Sequence, residues 1–357
     1  MADVYFIKAS IKDGEKTLSD KARRLFREAG LSKCFEPNDY TAVKIHVGEK
    51  GNETYIKAPC LKGLVDELTA LKTKPFLTDT STLYMGRRHN AIDHAILAHE
   101  HGFDIDGLGI PFIAPDGLFG TSEVPVKIDG LLNKEVLIAY DITRVQSMLS
   151  IAHATGHMMT CMAATLKTLG MGCASRKGKM RQHSAIKPSV DVSKCVGCGQ
   201  CLMHCPESAI TMEELKSHIN KDKCVGCGEC LAVCRFGAVQ HSWVTEVKIL
   251  EQSVAEHAKG ALKGKEGKAA FINFAVAVTS DCDCMNAADH NIIDDIGILA
   301  STDPVAIDQA TIDLMEKTAN KPITKISKYP NLNGRWQLEH AEKIGLGSRK
   351  YQIIEIH

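Results

Sequence analysis

Eight of the fourteen cysteines lie between residues 194 and 239, in two runs with the spacing C-x2-C-x2-C-x3-C. This spacing is typical of bacterial proteins with two 4Fe-4S clusters, where three cysteines of one run and the last of the other hold each cluster. The sequence therefore predicts one cluster on Cys195, Cys198, Cys201 and Cys234, and a second on Cys224, Cys227, Cys230 and Cys205.

Zinc is the alternative occupant of these runs, because pairs of cysteines two residues apart also make zinc knuckles. Such zinc sites take four ligands from two pairs, whereas each run here carries a third and a fourth cysteine. The runs also contain glycines, which supply the left-handed dihedrals that a tight ligand loop needs. We therefore expect iron–sulfur clusters at these cysteines. The glycines are Gly197, Gly199, Gly226 and Gly228.

Composition narrows the class of protein. The chain has 357 residues, long enough for two domains, with 44% hydrophobic and 24% charged residues. Its 43 basic residues balance 43 acidic ones, and aromatic residues make up 5%, which argues against nucleic-acid and membrane-surface partners. The sequence shows neither a signal peptide nor an apolar run of bilayer length. Many cysteines in such a chain predict metal or redox chemistry in a reducing cytoplasm, in an anaerobic or microaerobic organism.

Outside the cysteine runs, apolar strands alternate with amphipathic helices. This alternation is typical of a mostly parallel sheet with helices on both faces. We therefore predict an α/β fold, to which the cysteine runs add a small α+β ferredoxin-like module. Strands are predicted at 4–9, 41–47, 75–81, 134–142, 148–154, 269–279, 296–301 and 351–357. Helices are predicted at 16–30, 58–72, 91–101, 158–169, 244–262, 303–317 and 337–344.

The α/β pattern is interrupted rather than ended by the cysteine runs. It stops at the polar, basic stretch 178–189 and resumes after Val239. Neither flank has enough elements to look complete alone. We therefore predict one split α/β domain, with a two-cluster ferredoxin-like insert between its parts; three separate units are the alternative. The predicted parts are residues 1–187 and 241–357, and the insert is 188–240.

Several longer segments of the chain resemble a known family. They read VKIHVGEKGN (43–52), TDTSTLYMGRR (78–88), HATGHMMT (153–160), LKTLGMGCASRKGKMRQH (166–183), DCDC (281–284) and DIGILASTDPVAIDQA (295–310). Together they resemble the domain-of-unknown-function family 362, in its ferredoxin-containing form. The resemblance implies an iron–sulfur protein with this architecture, and it implies no particular reaction.

Cys282 and Cys284 form a second candidate site. In an extended segment both sulfurs lie on one face, so the pair can bind a metal or form a reducible disulfide. The flanking Asp281 and Asp283 raise thiol pKa values and disfavour free thiolates, so a cation must offset their charge. That cation is either a metal or a basic run. The alternative is a plain surface loop in which the two thiols have no chemical role. The basic run comprises Arg176, Lys177, Lys179 and Arg181.

Three more candidates lie between these sites. Cys173 stands in a glycine-rich basic turn, whose backbone amides could bind a phosphate, a carboxylate or an anionic cluster. His157 is spaced by four residues from His153 and Cys161, which would share one helix face, although the segment also reads as a strand running into a loop. Lys167, on the predicted helix 158–169, could balance anionic charge. Structural or solvent-exposed roles are the alternatives for these residues.

A ligand cleft is predicted where the strands end. Lys44 and Asp79 lie at or near the carboxyl ends of two predicted strands, and His153 lies at the end of a third. In open α/β sheets, ligands bind beyond these ends. We therefore expect Lys44, Asp79, His153 and Cys282 to share one cleft.

These residues predict an iron–sulfur electron-transfer protein or oxidoreductase. Electrons would pass through two 4Fe-4S clusters to a second redox or metal site at Cys282 and Cys284, with Cys173, His157 and Lys167 as further catalytic candidates. The cleft could hold an added metal, cluster or flavin mononucleotide, or an anionic small molecule, and a redox partner protein is expected. The first alternative is a non-enzymatic metal, cluster or electron carrier or assembly factor. The second is an anion-binding domain with purely structural clusters.

Overall fold

The central element is an eight-stranded sheet. The computed structural model describes residues 1–183, 187–224, 228–240, 247–285 and 290–357. The strands of the described residues, eight of which form this sheet, are β1 (Ala2–Lys8), β2 (Tyr40–Lys44), β3 (Lys74–Thr78), β4 (Phe112–Ile113), β5 (Glu123–Lys127), β6 (Glu135–Ala139), β7 (Ser147–His153), β8 (Thr155–His157), β9 (Cys161–Ala163), β10 (Ser189–Val190), β11 (Ile210–Glu213), β12 (Lys216–Ile219), β13 (Val239–Gln240), β14 (Ala269–Ala275), β15 (Gly297–Ser301) and β16 (Tyr351–Ile356).

The strand order of the large sheet is β16-β1-β15-β14-β7-β2-β3-β4. Only β15 runs antiparallel to its neighbours, β1 and β14, and every other adjacent pair is parallel. The strands come from both sides of the cysteine runs. The predicted mostly parallel α/β fold is therefore confirmed.

Helices cover both faces of the sheet. They are α1 (Glu15–Glu28), α2 (Lys62–Ala70), α3 (Ala91–Glu100), α4 (Ile105–Leu108), α5 (Thr165–Gly170), α6 (Arg176–Gln182), α7 (Gln200–Met203), α8 (Glu229–Val233), α9 (Val247–Leu262), α10 (Pro304–Ala319), α11 (Ile323–Ile326) and α12 (Trp336–Lys343). Short 3-10 helices span Ile11–Asp13, Leu31–Cys34, Ala58–Leu61 and Asp141–Thr143. Among the described residues, no helix is both long and apolar enough to cross a membrane.

Strand β14 shows why the sheet is buried on both sides. Every residue of its sequence AAFINFA is buried, and successive side chains point to opposite faces. Phe271 packs into one core with α5, α9 and α10, whereas Ile272 and Phe274 pack into the other with α1 and α2. A continuous apolar run is what a strand covered on both faces requires.

One predicted strand forms outside the large sheet, and one predicted helix is wrong in its first half. The strand predicted at 134–142 forms as β6, but it pairs with β5 in a separate two-stranded sheet. The helix predicted at 158–169 begins only at Thr165, because the preceding residues form the β8–β9 hairpin. Cys161 also has a φ of 60° there, which a right-handed helix does not allow. His153, His157 and Cys161 therefore do not share a helix face.

The basic stretch 178–189 is not simply a loop. Its first part lies in α6, which begins after Ser175, and the Ser175 hydroxyl accepts a hydrogen bond from the Gly178 N–H at 3.0 Å. The cysteine-rich region that follows contains two short hairpins, β10–β13 and β11–β12, with α7 and α8 between their strands. Pairing of β10 with β13 brings the two ends of this region together. The domain boundaries at 187 and 241 stay predictions.

Glu251, on α9, gives a test of the core. Its carboxylate is fully buried, and burial raises its pKa from 4.5 to about 8, although the Gln337 N–H donates to Oε2 at 3.1 Å. Because the folded protein holds a proton there that the unfolded chain releases, stability should fall as the pH rises from 4.5 to about 8. We expect Glu251→Gln to raise the free energy of unfolding by about 1–4 kcal/mol at pH 8. Urea denaturation should show this gain shrinking towards pH 5, and an equal gain at both pH values would contradict it.

Candidate functional site

A cavity of about 650 Å³ lies beyond the carboxyl ends of β2, β3, β7 and β14. Lys44 ends β2, Asp79 follows β3, His153 ends β7 and Cys282 follows β14. All four side chains line the cavity, so the predicted convergence on one cleft is confirmed. Their chemical roles stay predictions.

Buried ion pairs form one wall of this cavity. Lys44 Nζ lies 2.9 Å from Asp79 Oδ1, and Arg88 lies 3.4 Å from the other Asp79 oxygen and 3.2 Å from Glu49 Oε2. All four side chains are at most 7% exposed. Burial alone would raise the pKa of Asp79, but Lys44, nearby histidines and Arg88 hold it well below its ordinary value. The wall is therefore charged and fixed in geometry.

Cys282 and Cys284 are joined by a disulfide, with an S–S distance of 2.16 Å. Hydrogen bonds to its main-chain carbonyls fix the segment that carries them. The Glu49 N–H donates to the Asp283 carbonyl at 2.9 Å, and the Tyr84 hydroxyl donates to the Cys284 carbonyl at 3.1 Å. The disulfide therefore faces the cavity from an anchored segment.

The charge of Asp283 is offset by His153. His153 Nδ1 lies 3.0 Å from both Asp283 carboxylate oxygens, and Nε2 lies 2.8 Å from the Val276 carbonyl. Since both partners only accept hydrogen bonds, both ring nitrogens donate, and the imidazole is cationic. Burial opposes this charge, but Asp283 raises the pKa of His153 above its ordinary value.

The cation beside the disulfide is Lys167. Its Nζ lies 3.7 Å from Cys282 Sγ, and burial, reinforced by Arg88, lowers the pKa of Lys167 to about 8. The predicted basic run does not supply this charge. Its members lie on α6, where Arg176 packs near Leu231, Lys177 pairs with Glu229 at 2.6 Å and only Lys179 lines the cavity.

His157 lies close to the disulfide but is a poor metal ligand. A ring nitrogen of His157 and the two sulfurs lie within 4.8 Å of one another. However, Nδ1 accepts hydrogen bonds from the N–H groups of Met159 and Thr160, both at 3.1 Å. Burial holds the pKa of His157 well below its ordinary value, so the ring is neutral and its one proton lies on Nε2. Neither nitrogen then offers a free lone pair to a metal.

Cys173 does not line the cavity. It is fully buried in the core beneath α5, and burial raises the pKa of its thiol to about 11. The glycine beside it has a packing role, because a Cβ on Gly172 would lie 2.6 Å from Lys44 Nζ. These observations indicate that the glycine of this turn is needed for close packing, and they argue against an anion site at Cys173.

The structure groups the cysteines of the two runs across, rather than along, the sequence. One small cavity is lined by Cys195, Cys198, Cys201 and Cys234, and another by Cys205, Cys224 and Cys230. Cys227, predicted to join the second group, lies outside the described residues, as does Gly226.

Backbone N–H groups point at several of these sulfurs. Ala209 N–H donates to Cys205 Sγ at 3.2 Å, and Val239 N–H donates to Cys234 Sγ at 3.4 Å. Thiolates bound to iron are good acceptors for such donors. The donor sets therefore fit 4Fe-4S clusters, whose presence stays a prediction.

The cavity and the cysteine-rich region share a hydrophobic cluster. Leu83 lines the cavity and packs in the same buried cluster as Met180 and the cysteines Cys195, Cys201, Cys230 and Cys234. Helix α6 also contacts both, because Lys179 lines the cavity while Lys177 pairs with Glu229 of α8. Cavity and cysteine groups are therefore neighbours.

Comparison with known proteins identifies the family. Residues 41–313 match the model of a family described as "Domain of unknown function (DUF362)". The chain belongs to the DUF362 family. The predicted membership of this family is thereby confirmed, whereas the ferredoxin-like insert stays a prediction.

One curated relative of this DUF362 protein is the pyruvate synthase subunit PorD of Methanothermobacter marburgensis, 36% identical over 55 residues. The match covers 15% of this chain and 64% of that subunit. Together with the cysteine groups, it supports an iron–sulfur link.

Two solved structures are distantly similar to this DUF362 protein. The lactate racemase apoprotein from Thermoanaerobacterium thermosaccharolyticum has a TM-score of 0.41 and 10% identity, over 77% of this chain and 51% of that one. A structural-genomics protein from Thermotoga maritima has a TM-score of 0.41 and 11% identity, over 86% of this chain and 59% of that one. The chain thus spans about half the length of each.

Several residues of the DUF362 cavity escaped the sequence reasoning. Glu49 and Tyr84 lie in loops without periodicity, although both fall within segments that resemble the family. Five methionines also line the cavity, and a methionine in a sequence indicates only an apolar position. They are Met85, Met158, Met159, Met171 and Met285.

Proposed function

We propose that this protein is an iron–sulfur oxidoreductase whose redox-active group in the α/β domain is the Cys282–Cys284 disulfide. Residues 188–240 would form a ferredoxin-like insert that holds two 4Fe-4S clusters on the eight cysteines of the two runs. The observation that carries the proposal is the shared hydrophobic cluster, in which the cavity residue Leu83 packs with the cysteines. The similarity to PorD supports the iron–sulfur part.

Bound clusters would supply electrons one at a time. Reduction of the disulfide takes two electrons and two protons, breaks the S–S bond and leaves two thiols. Lys167 is placed to give one proton to Cys282, because its Nζ is 3.7 Å from that sulfur and its pKa, lowered by burial, is about 8. The second proton comes from water in the cavity. The electrons enter from a redox partner protein.

His157 would stabilise the reduced pair rather than protonate it. Its ring is neutral, with the proton on Nε2, so giving that proton away would leave an unfavourable anionic imidazole. Before both protons have arrived, one sulfur of the reduced pair is still a thiolate, and a hydrogen bond from such a ring would stabilise it until it is protonated. The ring therefore acts as a fixed donor beside the sulfurs.

A metal carrier is the second candidate function. The observation that favours it is the grouping of His157, Cys282 and Cys284 within 4.8 Å. The disulfide and the occupied lone pair on His157 weigh against it. Metal content separates the two functions, because a carrier would bind iron or zinc beyond what the two cysteine runs hold.

The proposal is tested by metal analysis of anaerobically purified protein. We expect about eight iron and eight sulfide per chain, the content of two 4Fe-4S clusters. Electron paramagnetic resonance after reduction should show two interacting paramagnetic centres. Zinc in place of iron, or iron without sulfide, would exclude the iron–sulfur assignment, and a reproducible excess of iron would favour the carrier.

Ser217 should tune one cluster only. Its Oγ lies 3.1 Å from Cys201 Sγ and its N–H donates to Cys195 Sγ at 3.5 Å, both in the first cysteine group. Here the Cys201 thiol donates to Ser217, whose hydroxyl donates to Met212 Sδ at 3.2 Å. A Cys201 thiolate bound to a cluster could not donate, so the Ser217 hydroxyl would donate to it and stabilise the reduced, more negative state. Ser217→Ala should therefore lower one midpoint potential in a redox titration and leave the other unchanged. Ser208→Ala, outside that cavity lining, is the control; equal shifts of both potentials would contradict the assignment.

A further inference from the structure

The cavity lining contains two chemically different groups of residues. The cationic group comprises the buried ion pairs together with Lys167 and Lys179. The methionine group comprises the five methionines with Leu83 and Leu250, and its members Met159, Met171 and Leu250 pack in one hydrophobic cluster. The cavity volume of about 650 Å³ lies in the range of pockets for drug-sized organic molecules. A bare phosphate or metal ion would leave most of this space unfilled.

Among the described residues, two lysines of the cationic group, Lys167 and Lys179, form no ion pair within 4.0 Å. Lys179 Nζ donates to the Ser81 and Ala174 carbonyls at 2.8 and 2.9 Å, and to the Thr80 hydroxyl. In the described part of the chain, the one hydrogen-bond partner of Lys167 Nζ is the neutral disulfide sulfur of Cys282, at 3.7 Å. By contrast, Lys44 and Arg88 are neutralised by Asp79 and Glu49. Lys179 therefore uses its three N–H donors on uncharged protein oxygens. Lys167 keeps donors available, and Asp283 and Asp79 act on it without forming an ion pair. A buried cation with available donors favours binding of an anion.

The methionine group has the properties of an adaptable apolar surface. Methionine has three rotatable bonds and a polarisable sulfur, so it fits apolar bodies of varied shape and contacts aromatic rings favourably. Met159 is 5% exposed, whereas Met158 is 43% exposed, so the methionine group includes both buried and solvent-exposed residues of the cavity lining. A ligand body of appreciable length can lie along it.

We propose that this cavity binds an amphipathic organic anion, with its acidic head at Lys167 and its apolar body against the methionines. The head is a carboxylate or a phosphate, and both an aliphatic acid and a phosphorylated ring such as flavin mononucleotide have this chemistry. The anion lies beside the Cys282–Cys284 disulfide. Its role as the redox partner of that disulfide rests on the proposed function, whereas its binding does not.

The test uses 8-anilinonaphthalene-1-sulfonate, itself an amphipathic anion, as a fluorescent probe with the complete, anaerobically purified protein. We expect saturable binding at one site per chain. Decanoate or flavin mononucleotide should displace the probe, and which of them does so distinguishes an aliphatic acid from a phosphorylated ring. Decanol, which lacks the charge, and inorganic phosphate, which lacks the body, should not. Equal displacement by decanol, or displacement by neither anion, would overturn the proposal.

Variants locate the site. Lys167→Met should weaken probe binding at least about tenfold, about 1.4 kcal/mol, while Lys167→Arg should retain it. Lys12 is exposed and does not line the cavity, so Lys12→Met should leave the affinity for the probe unchanged. Thermal melting of each variant checks that it is folded. Unchanged affinity in Lys167→Met would overturn the proposed position of the head.

The same preparations separate this inference from the proposed function. Reductive titration counts the electrons taken up by the protein without any probe present. Normal electron uptake with no saturable probe binding would overturn the anion site alone. Normal probe binding in a protein whose disulfide takes up no electrons would overturn the redox proposal alone.

Discussion

Replacing both Cys282 and Cys284 with serine should lower the electrons taken up per chain from about four to about two. Two 4Fe-4S clusters accept one electron each, and a disulfide accepts two. Serine is close to cysteine in size and cannot form a disulfide. The hydrogen bonds from the Glu49 N–H and the Tyr84 hydroxyl to main-chain carbonyls of this segment do not involve the sulfurs. The cavity should therefore keep its shape.

The measurement is an anaerobic titration with dithionite, followed by visible absorbance for the clusters and by thiol labelling for the cysteine pair. The control is Cys34→Ala. It removes a buried thiol whose pKa is raised by burial and which is not among the residues that line the cavity. It should keep the full uptake of about four electrons. Equal uptake by wild type and the double variant would show that the pair is redox-silent, even with both clusters present.

The sheet could be predicted from the sequence because its strands carry unambiguous patterns. The strand predicted at 269–279 forms as β14, and the helix predicted at 303–317 forms as α10, which Asp303 caps. Asp303 indeed accepts hydrogen bonds from the N–H groups of Val305 and Ala306, each at 2.9 Å. β6 shows the limit of such reasoning, because its apolar residues pack against α9 rather than joining the large sheet. Burial alone does not say which partner a strand takes.

The cleft could be predicted in outline, because residues at the carboxyl ends of parallel strands must meet at one edge. Its details depend on backbone direction, which the sequence does not contain. Cys173 is one residue from Gly172, which lines the cavity, yet its side chain lies in the core. The helix predicted at 158–169 starts seven residues too early. Lys167 lies near the end of that predicted helix, and so it still falls within α5. The charge beside Cys282 came from this lysine, and not from the longer and more conspicuous basic run.

Asp79→Asn should lower the free energy of unfolding by about 3–5 kcal/mol, the cost of removing one partner from a buried ion pair. The carboxylate lies 2.9 Å from Lys44 Nζ and 3.4 Å from Arg88, and its side chain is 4% exposed. Asparagine keeps the shape but leaves the lysine charge without its counter-ion. The effect should be largest at neutral pH, because the pKa of Asp79 is held well below its ordinary value of 3.8. Its contribution is present above that pH and is lost as the pH falls further.

Urea denaturation at pH 7 measures this change, with Asp66→Asn as the control. Asp66 pairs with Lys62 and Arg23 at the surface, so its loss should cost at most about 1 kcal/mol. A double-mutant cycle with Lys44→Met completes the test. Once the lysine charge is gone, Asp79→Asn should cost less than in the wild type, since only Arg88 then loses its partner. Additive costs would contradict direct coupling between Lys44 and Asp79, and would mean that the cavity wall is held by its other contacts.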